Sequence, residues 1–365
     1  MTPNRRSLLL GLGLLVMLIG APAFADEGVG GMQLFAPADI SPYGRGPQPN
    51  EGYFFVFDGL YWSITPPKAV TVGIPFDPAD PDSFRGGNHS SLDTGMFNAD
   101  FNPGQRIEFG RVVGHHGWMF STYRVNEQTQ DPLPAFTVPV MFHDPLNLLQ
   151  IGPLPVQSIY GTVTMRNWMV TWGAEADYIY RMHAFHKGTV CEWMFGARYL
   201  EFNEEFNVDA VGGILDDSFW YTSVENHIVG PQLGVRLFHK GASRFMFNTE
   251  GRFFAGYNSQ NFKQTALLGG KLNDVAAPLL WRGAYSSAHE FKGEWTPGIE
   301  VRLEMRYQMT RALSIRAGWT GMWLDGIARA NNSVNYEVPA MGLLTADNRQ
   351  SLFMHGLTLG VDINR

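Results

Sequence analysis

No two cysteines can pair within this chain, because Cys191 is the only one among its 365 residues. Any fold it adopts holds without internal disulfides, and we read Cys191 as an inert apolar residue rather than a nucleophile. A basic surplus is missing too: 27 Lys and Arg stand against 34 Asp and Glu, a formal charge of −7. That balance leaves no electrostatic footprint for nucleic acid. Beyond the N-terminal segment, Arg, Glu, Asp or Gly breaks every apolar run before it reaches the length of a membrane-spanning helix. No glycine-rich phosphate loop follows a strand and opens a helix. What the chain has instead is 45% apolar residues, 13% aromatics and 41 glycines, a composition suited to an all-β protein.

The N-terminus reads as an export signal. Arg5 and Arg6 precede an apolar run from Leu8 to Ile19, and Ala23-Phe24-Ala25 stands just before Asp26. A charged region, an apolar region and an Ala-x-Ala site make a secretory signal peptide over residues 1–25, cut after Ala25. The apolar run is short for a membrane anchor, and the absence of a cysteine at the cut argues against a lipoprotein. Residues 26–52 hold Pro37, Pro42, Pro47 and Pro49 with several glycines, which suits an extended leader. Residues 53–365 are then one folded unit.

The strongest periodicity runs from Trp295 to Met309. Trp295, Pro297, Ile299, Val301, Leu303, Met305, Tyr307 and Met309 alternate with Thr296, Gly298, Glu300, Arg302, Glu304, Arg306 and Gln308. In a strand these sets face opposite ways, one apolar and one a ladder of charge. The twelve residue steps from Trp295 to Tyr307, at ~3.3 Å each and tilted by ~45°, cross roughly 28 Å, close to the apolar band of an outer-membrane barrel. After a short break, Leu313, Ile315, Ala317 and Trp319 resume the pattern. A β-sandwich strand with one wet face would show the same alternation.

The whole chain separates these readings. Strands are expected over Tyr53–Ile64, Gln105–Val113, Trp118–Val125, 161–181, Thr189–Phe202, His227–His239 and Arg244–Tyr257, then over the two segments just described and Ser351–Ile363. That makes ten. Long loops follow the odd-numbered strands, including Asn203–Asn226 and Asn258–Phe291, and short turns follow the even-numbered ones. Greek-key sandwiches give no reason for that alternation, whereas an outer-membrane barrel does. The expected fold is all-β, a single antiparallel up-and-down transmembrane β-barrel of about ten strands (ten to twelve). Closure also removes the edges that long apolar strands would otherwise expose.

Several segments resemble a family of bacterial outer-membrane β-barrel porins, the beta barrel porin type 7 group. Asp58, Leu60, Tyr61 and Trp62 match its first strand; Gly196, Arg198, Tyr199 and Phe202 match a central strand; Thr310 to Thr320 matches a late hairpin. The resemblance implies a bacterial outer-membrane location and a porin role, and brings no catalytic residues with it. One departure is the ending Val361-Asp362-Ile363-Asn364-Arg365, where many outer-membrane proteins carry a terminal aromatic residue.

A search for chemistry assigns no enzyme. His227 with Glu225, and His143 with Asp144, are candidate acid–base pairs that we read as loop or rim residues. His115-His116 points two ways in extended chain and lacks further ligands, so it reads as a turn. Asp77, Asp80 and Asp82 have oxygen chemistry suited to Ca²⁺ but lack an EF-hand's Gly and Glu. No cofactor and no metal is expected. Twelve charged residues fall on the faces opposite the apolar ones: Glu175, Asp177, Glu192, Arg198, Arg236, Glu250, Arg252, Glu300, Arg302, Glu304, Arg306 and Arg316. In a barrel they line the lumen, either paired across strands or along a water-filled path. The expected role is a narrow porin, or a structural surface barrel with a charged, partly filled lumen. Its partners would be outer-membrane lipid, the outer-membrane assembly machinery, and small solutes or ions. Two alternatives stand beside it: a barrel hydrolase acting on lipid or peptide, and a secreted soluble β-sandwich that binds carbohydrate.

Overall fold

The computed structural model describes residue 38 and residues 49–72, 93–130, 139–141, 157–159, 162–182, 188–211, 217–240, 243–268, 284–336, 342–346 and 348–364. The signal-peptide expectation lies outside these residues, as does most of the leader. Ten long strands build the described body: β1 (Gly52–Ile64), β2 (Phe101–Val113), β3 (His116–Gln130), β4 (Thr162–Arg181), β5 (Thr189–Val211), β6 (Ser218–Lys240), β7 (Phe245–Leu268), β8 (Ala284–Gln308), β9 (Leu313–Ile327) and β10 (Gln350–Asn364). Each pairs antiparallel with its neighbours in sequence, and β1 pairs with β10 from Phe54↔Asn364 to Ile64↔Met354. The sheet is therefore a closed barrel without edges.

Period-two alternation sets which side chains turn outward. Along β8, Trp295, Ile299, Val301, Leu303, Met305 and Tyr307 are exposed on the outside, whereas Glu300, Arg302, Glu304 and Arg306 are buried inside. Prolines occupy places where one side of the ladder has ended. Pro103 pairs only with Tyr61, and Pro297 only with Ala255. Short turns join β2–β3, β4–β5, β6–β7 and β8–β9. Gly114 and Gly188 adopt φ of +59° and +84° in the first two of these, backbone that a side chain would strain.

Three expectations need correction. Asn203–Asn226 is not a long loop, because β5 and β6 run through it and leave only 212–217 between them. Asn258–Phe291 shrinks likewise to 269–283 between β7 and β8. Both stretches keep their period of two with inverted polarity. Phe202, Phe206, Val208 and Ala210 point inward and are buried, while Glu201, Asn203, Glu205 and Asn207 point outward. A strand rising above the apolar band has water outside and a packed interior, so the rule that finds membrane strands fails there. In β1, the face with Phe54, Val56, Leu60, Trp62 and Ile64 is the interior, so Asp58 belongs inside with its partners.

The barrel interior is layered. Phe54, Val56, Val112, Met119, Ile179 and Met194 pack at the end that carries the short turns. A second apolar layer includes Leu60, Trp62, Leu200, Phe202, Ile228, Phe254 and Leu324. A third, within the strand extensions, includes Phe206, Trp220, Val224, Phe262, Ala328 and Tyr336. Fully burying one such side chain contributes roughly 1.5–3 kcal/mol.

Candidate functional site: a buried charge belt

Most of the buried charged side chains lie between the first two apolar layers, with Arg181 and Glu192 beyond the first at the short-turn end. All twelve residues expected to line the lumen are no more than 6% exposed. The structure adds Asp58, Arg106, Glu108, Arg181 and Asp362 to this belt. Charge alternation could not find Asp58, Arg106 or Glu108, since β1 and β2 carry too few charges to show a ladder, whereas Arg181 and Asp362 do fall on the polar faces of β4 and β10. Every cation in the belt is an arginine, whose planar fork suits bidentate pairing with carboxylates.

The pairs reach across the interior as well as along the wall. The Arg106 Nε and Arg316 Nε both donate to Asp58, at 2.8 and 2.6 Å. Arg106 Nη2 also lies 3.1 Å from Glu304 Oε1, and Arg302 Nη1 lies 2.6 Å from Glu108 Oε1. The last two join β2 to β8, which stand four strands apart around a ring of ten. Arg198 bridges Glu175 and Glu300 at 2.6 Å each, with Arg252 also on Glu175. Glu250 takes Arg236 Nε and Arg252 Nε, both at 2.5 Å. Gln232 Nε2 donates to Asp177 Oδ1 at 2.6 Å, and Arg181 Nη2 meets Glu192 at 2.7 Å.

Both mouths carry inserted backbone. At one end, Arg181 donates to the Pro49 carbonyl, and Arg306 Nη1 donates to Asn50 Oδ1 at 3.1 Å and Asp362 at 2.5 Å. Asn50 is buried with φ of +56°. At the other end, β9 bulges between Leu324 and Ile327, with Gly326 at φ +81°. The chain then enters the barrel. Arg329 makes two 2.8 Å bonds to Glu204, Ala330 N donates to the same carboxylate, and Asn226 holds Ala328 through both backbone groups. Sequence alone left Glu204 and Arg329 in loops, so this latch was missed.

The candidate acid–base pairs come apart. Glu225 bonds Asn261 and Lys263, whereas His227 Nδ1 lies 2.9 Å from the Tyr199 hydroxyl and 3.6 Å from Glu201. His115 lies in the turn and bonds the Arg181 carbonyl, while His116 begins β3 and bonds Tyr178. His143, Asp144, Asp77, Asp80 and Asp82 lie outside the described residues. Among the described residues no group of three or more His, Cys, Asp or Glu is placed to hold a metal. On the outer face of the extensions, a groove of about 250 Å³ is lined by Glu205, Asn207, Tyr221 and Lys263, among others. Partial desolvation at the edge of this groove lifts the Glu205 carboxyl above its ordinary range, helped by nearby Glu127 and Glu225.

The family described as "Putative beta barrel porin-7 (BBP7)" matches residues 157–364, more than half of the chain. No curated protein matches the sequence. Among solved structures, the outer membrane protease OmpT from Escherichia coli is similar at 6% identity and a TM-score of 0.42, over 88% of this chain and 99% of that one. The Pseudomonas putida toluene transporter TodX is similar at 6% identity and a TM-score of 0.24, over 87% and 90%. The Ralstonia pickettii toluene transporter TbuX is similar at 9% identity and 0.18, over 90% and 95%. At such scores these likenesses carry no argument about function.

Proposed function

The chain belongs to the beta barrel porin-7 family, and from that premise we propose an outer-membrane barrel whose lumen is closed in its resting state. It crosses the membrane as a structural surface barrel rather than as an open pore. The observation that carries this reading is the set of ion pairs between near-opposite walls, Arg106–Glu304 and Arg302–Glu108. Side chains that touch across a ten-stranded interior leave no continuous water path between them. The inserted segments at Pro49–Asn50 and Ala328–Ala330 support the same conclusion.

Outer-membrane location is part of the proposal. An outward band of exposed apolar and aromatic side chains, from Tyr307 to Trp295 on β8 and from Phe245 to Tyr257 on β7, suits lipid contact with aromatic residues at both rims. The polar outer faces of the extensions would then stand clear of the membrane. The test has two parts. Membrane fractionation should recover the protein with outer membranes, and proteoliposomes holding it should not swell in isotonic small sugars. Recovery as a soluble periplasmic protein would overturn the location, and swelling comparable to that of an open porin would overturn the closed lumen.

A further inference from the structure

Immediately beyond the apolar band, the register aligns an acid, an imidazole and a hydroxyl on three neighbouring strands. Tyr199, Val229, Tyr257 and Trp295 are consecutive partners on β5, β6, β7 and β8 and end the apolar outer face. Two residues further along each strand, the next outward row reads Glu201, His227, Ser259 and Gly293. Directly opposed side chains on one sheet face have Cβ atoms about 4.5–5.5 Å apart. Ser259 therefore stands beside His227, and His227 beside Glu201. Along the sequence His227 stands near Glu225, whereas its neighbours Glu201 and Ser259 are set beside it only by strand register.

The local bonds orient the imidazole. Tyr199 donates its hydroxyl proton to Glu201 Oε2 at 3.0 Å and lies 2.9 Å from His227 Nδ1. Since that proton is committed to Glu201, the Tyr199 oxygen acts as acceptor toward His227, which assigns the imidazole proton to Nδ1 and leaves Nε2 as a base. Asn203 Nδ2 holds the other Glu201 oxygen at 2.7 Å. On the far side of Ser259 stands Gly293, whose missing side chain leaves the room that the Tyr257 ring takes. The Tyr257 hydroxyl lies over that glycine, in the space a Cβ would take. A phenol there is a hydrogen-bond donor beside the serine.

We propose that Ser259, His227 and Tyr257 form an esterase site for acylated membrane lipids, with Glu201 and Tyr199 as positioning residues. The site faces sideways at the border of the apolar band, where a lipid places its ester while its acyl chain stays in hydrocarbon. Ser259 Oγ attacks the acyl carbonyl and its proton passes to His227 Nε2. The Tyr257 hydroxyl donates to the developing oxyanion. Collapse breaks the ester C–O bond, and His227 returns the proton to the departing alcohol. Water, deprotonated by His227, then cleaves the acyl-serine, so ester and water give fatty acid and alcohol. The proposal assumes the barrel lies in lipid but not that its lumen is closed.

The test uses the full-length protein in detergent with a long-chain alkyl fluorophosphonate, which reports an activated serine without knowledge of the natural lipid. Peptide mass spectrometry should find the adduct on Ser259, and Ser259→Ala should abolish it. His227→Ala should slow labelling at least tenfold, and so should slow hydrolysis of p-nitrophenyl laurate. Glu201→Gln should slow labelling severalfold while Glu201→Asp, which keeps a carboxylate beside Tyr199, restores it; a merely structural role would not distinguish these two variants. These side chains face outward, so each variant should keep the heat-modifiable migration of a folded barrel. Folded wild type without an adduct on Ser259, or equal labelling in His227→Ala, overturns the proposal. Conductance and swelling do not bear on this result, so the site and the closed lumen fail separately.

Discussion

Removing the Asp58 carboxylate should cost this barrel several kilocalories. Asp58 is fully buried and accepts from Arg106 and Arg316, both of which are also buried. In Asp58→Ala the two guanidiniums keep Glu304, at 3.1 and 3.4 Å, but lose the carboxylate that accepts from both Nε atoms. Breaking a dry ion pair from one side costs about 3–5 kcal/mol, and the surviving Glu304 contacts put the expected loss near ~3 kcal/mol. The same change in a wet lumen would cost about 0–1 kcal/mol, as surface pairs do. The magnitude therefore reports whether water fills the interior. Denaturant unfolding in lipid vesicles, followed by tryptophan fluorescence, measures it. Adding Arg316→Met should cost less than the sum of the two single changes, because the second removes a charge the first orphaned. A loss under about 1 kcal/mol for Asp58→Ala, or full additivity, would refute the dry belt.

Three further outcomes follow. Leu303→Arg places a charge on the outward apolar face of β8 and should cost about 2–4 kcal/mol near the bilayer midplane, read as reduced folding yield on a heat-modifiability gel. Glu304→Ala should cost about 3–5 kcal/mol in the same assay, because its carboxylate serves Arg106, Arg316 and Asn248. Glu205→Gln should raise thermal stability at pH 7.5 and leave it unchanged at pH 4. The folded carboxyl sits above its ordinary range, so its contribution is full when protonated and is lost as pH rises through the folded value. Stabilisation of equal size at both pH values would show that charge is not the cause.

The fold was legible where the environment obeyed one rule. Apolar outward and charged inward marked β8, and the same period of two, followed along the chain, gave the ten strands. The rule broke above the band, where Phe206 and Val208 point inward while Glu205 and Asn207 face water. There a membrane strand reads as an acidic loop. The twelve charged candidates came from visible ladders, whereas Asp58 is a single acid among apolar neighbours. Its partners Arg106 and Arg316 lie 48 and 258 residues away, a separation no local pattern encodes. The Glu201–His227–Ser259 row was hidden for the same reason: strand register creates the adjacency.

Single-channel recording in planar bilayers tests the closed interior most directly. With ion pairs between near-opposite walls and Arg329 clamped by Glu204, the wild-type protein should insert without discrete current steps at ordinary voltages. Arg302→Ala with Arg306→Ala frees carboxylates from their partners, so any path it opens should prefer cations, seen as a reversal potential in a salt gradient. Large, voltage-independent steps from wild type, comparable to those of a sixteen-stranded porin, would contradict the account.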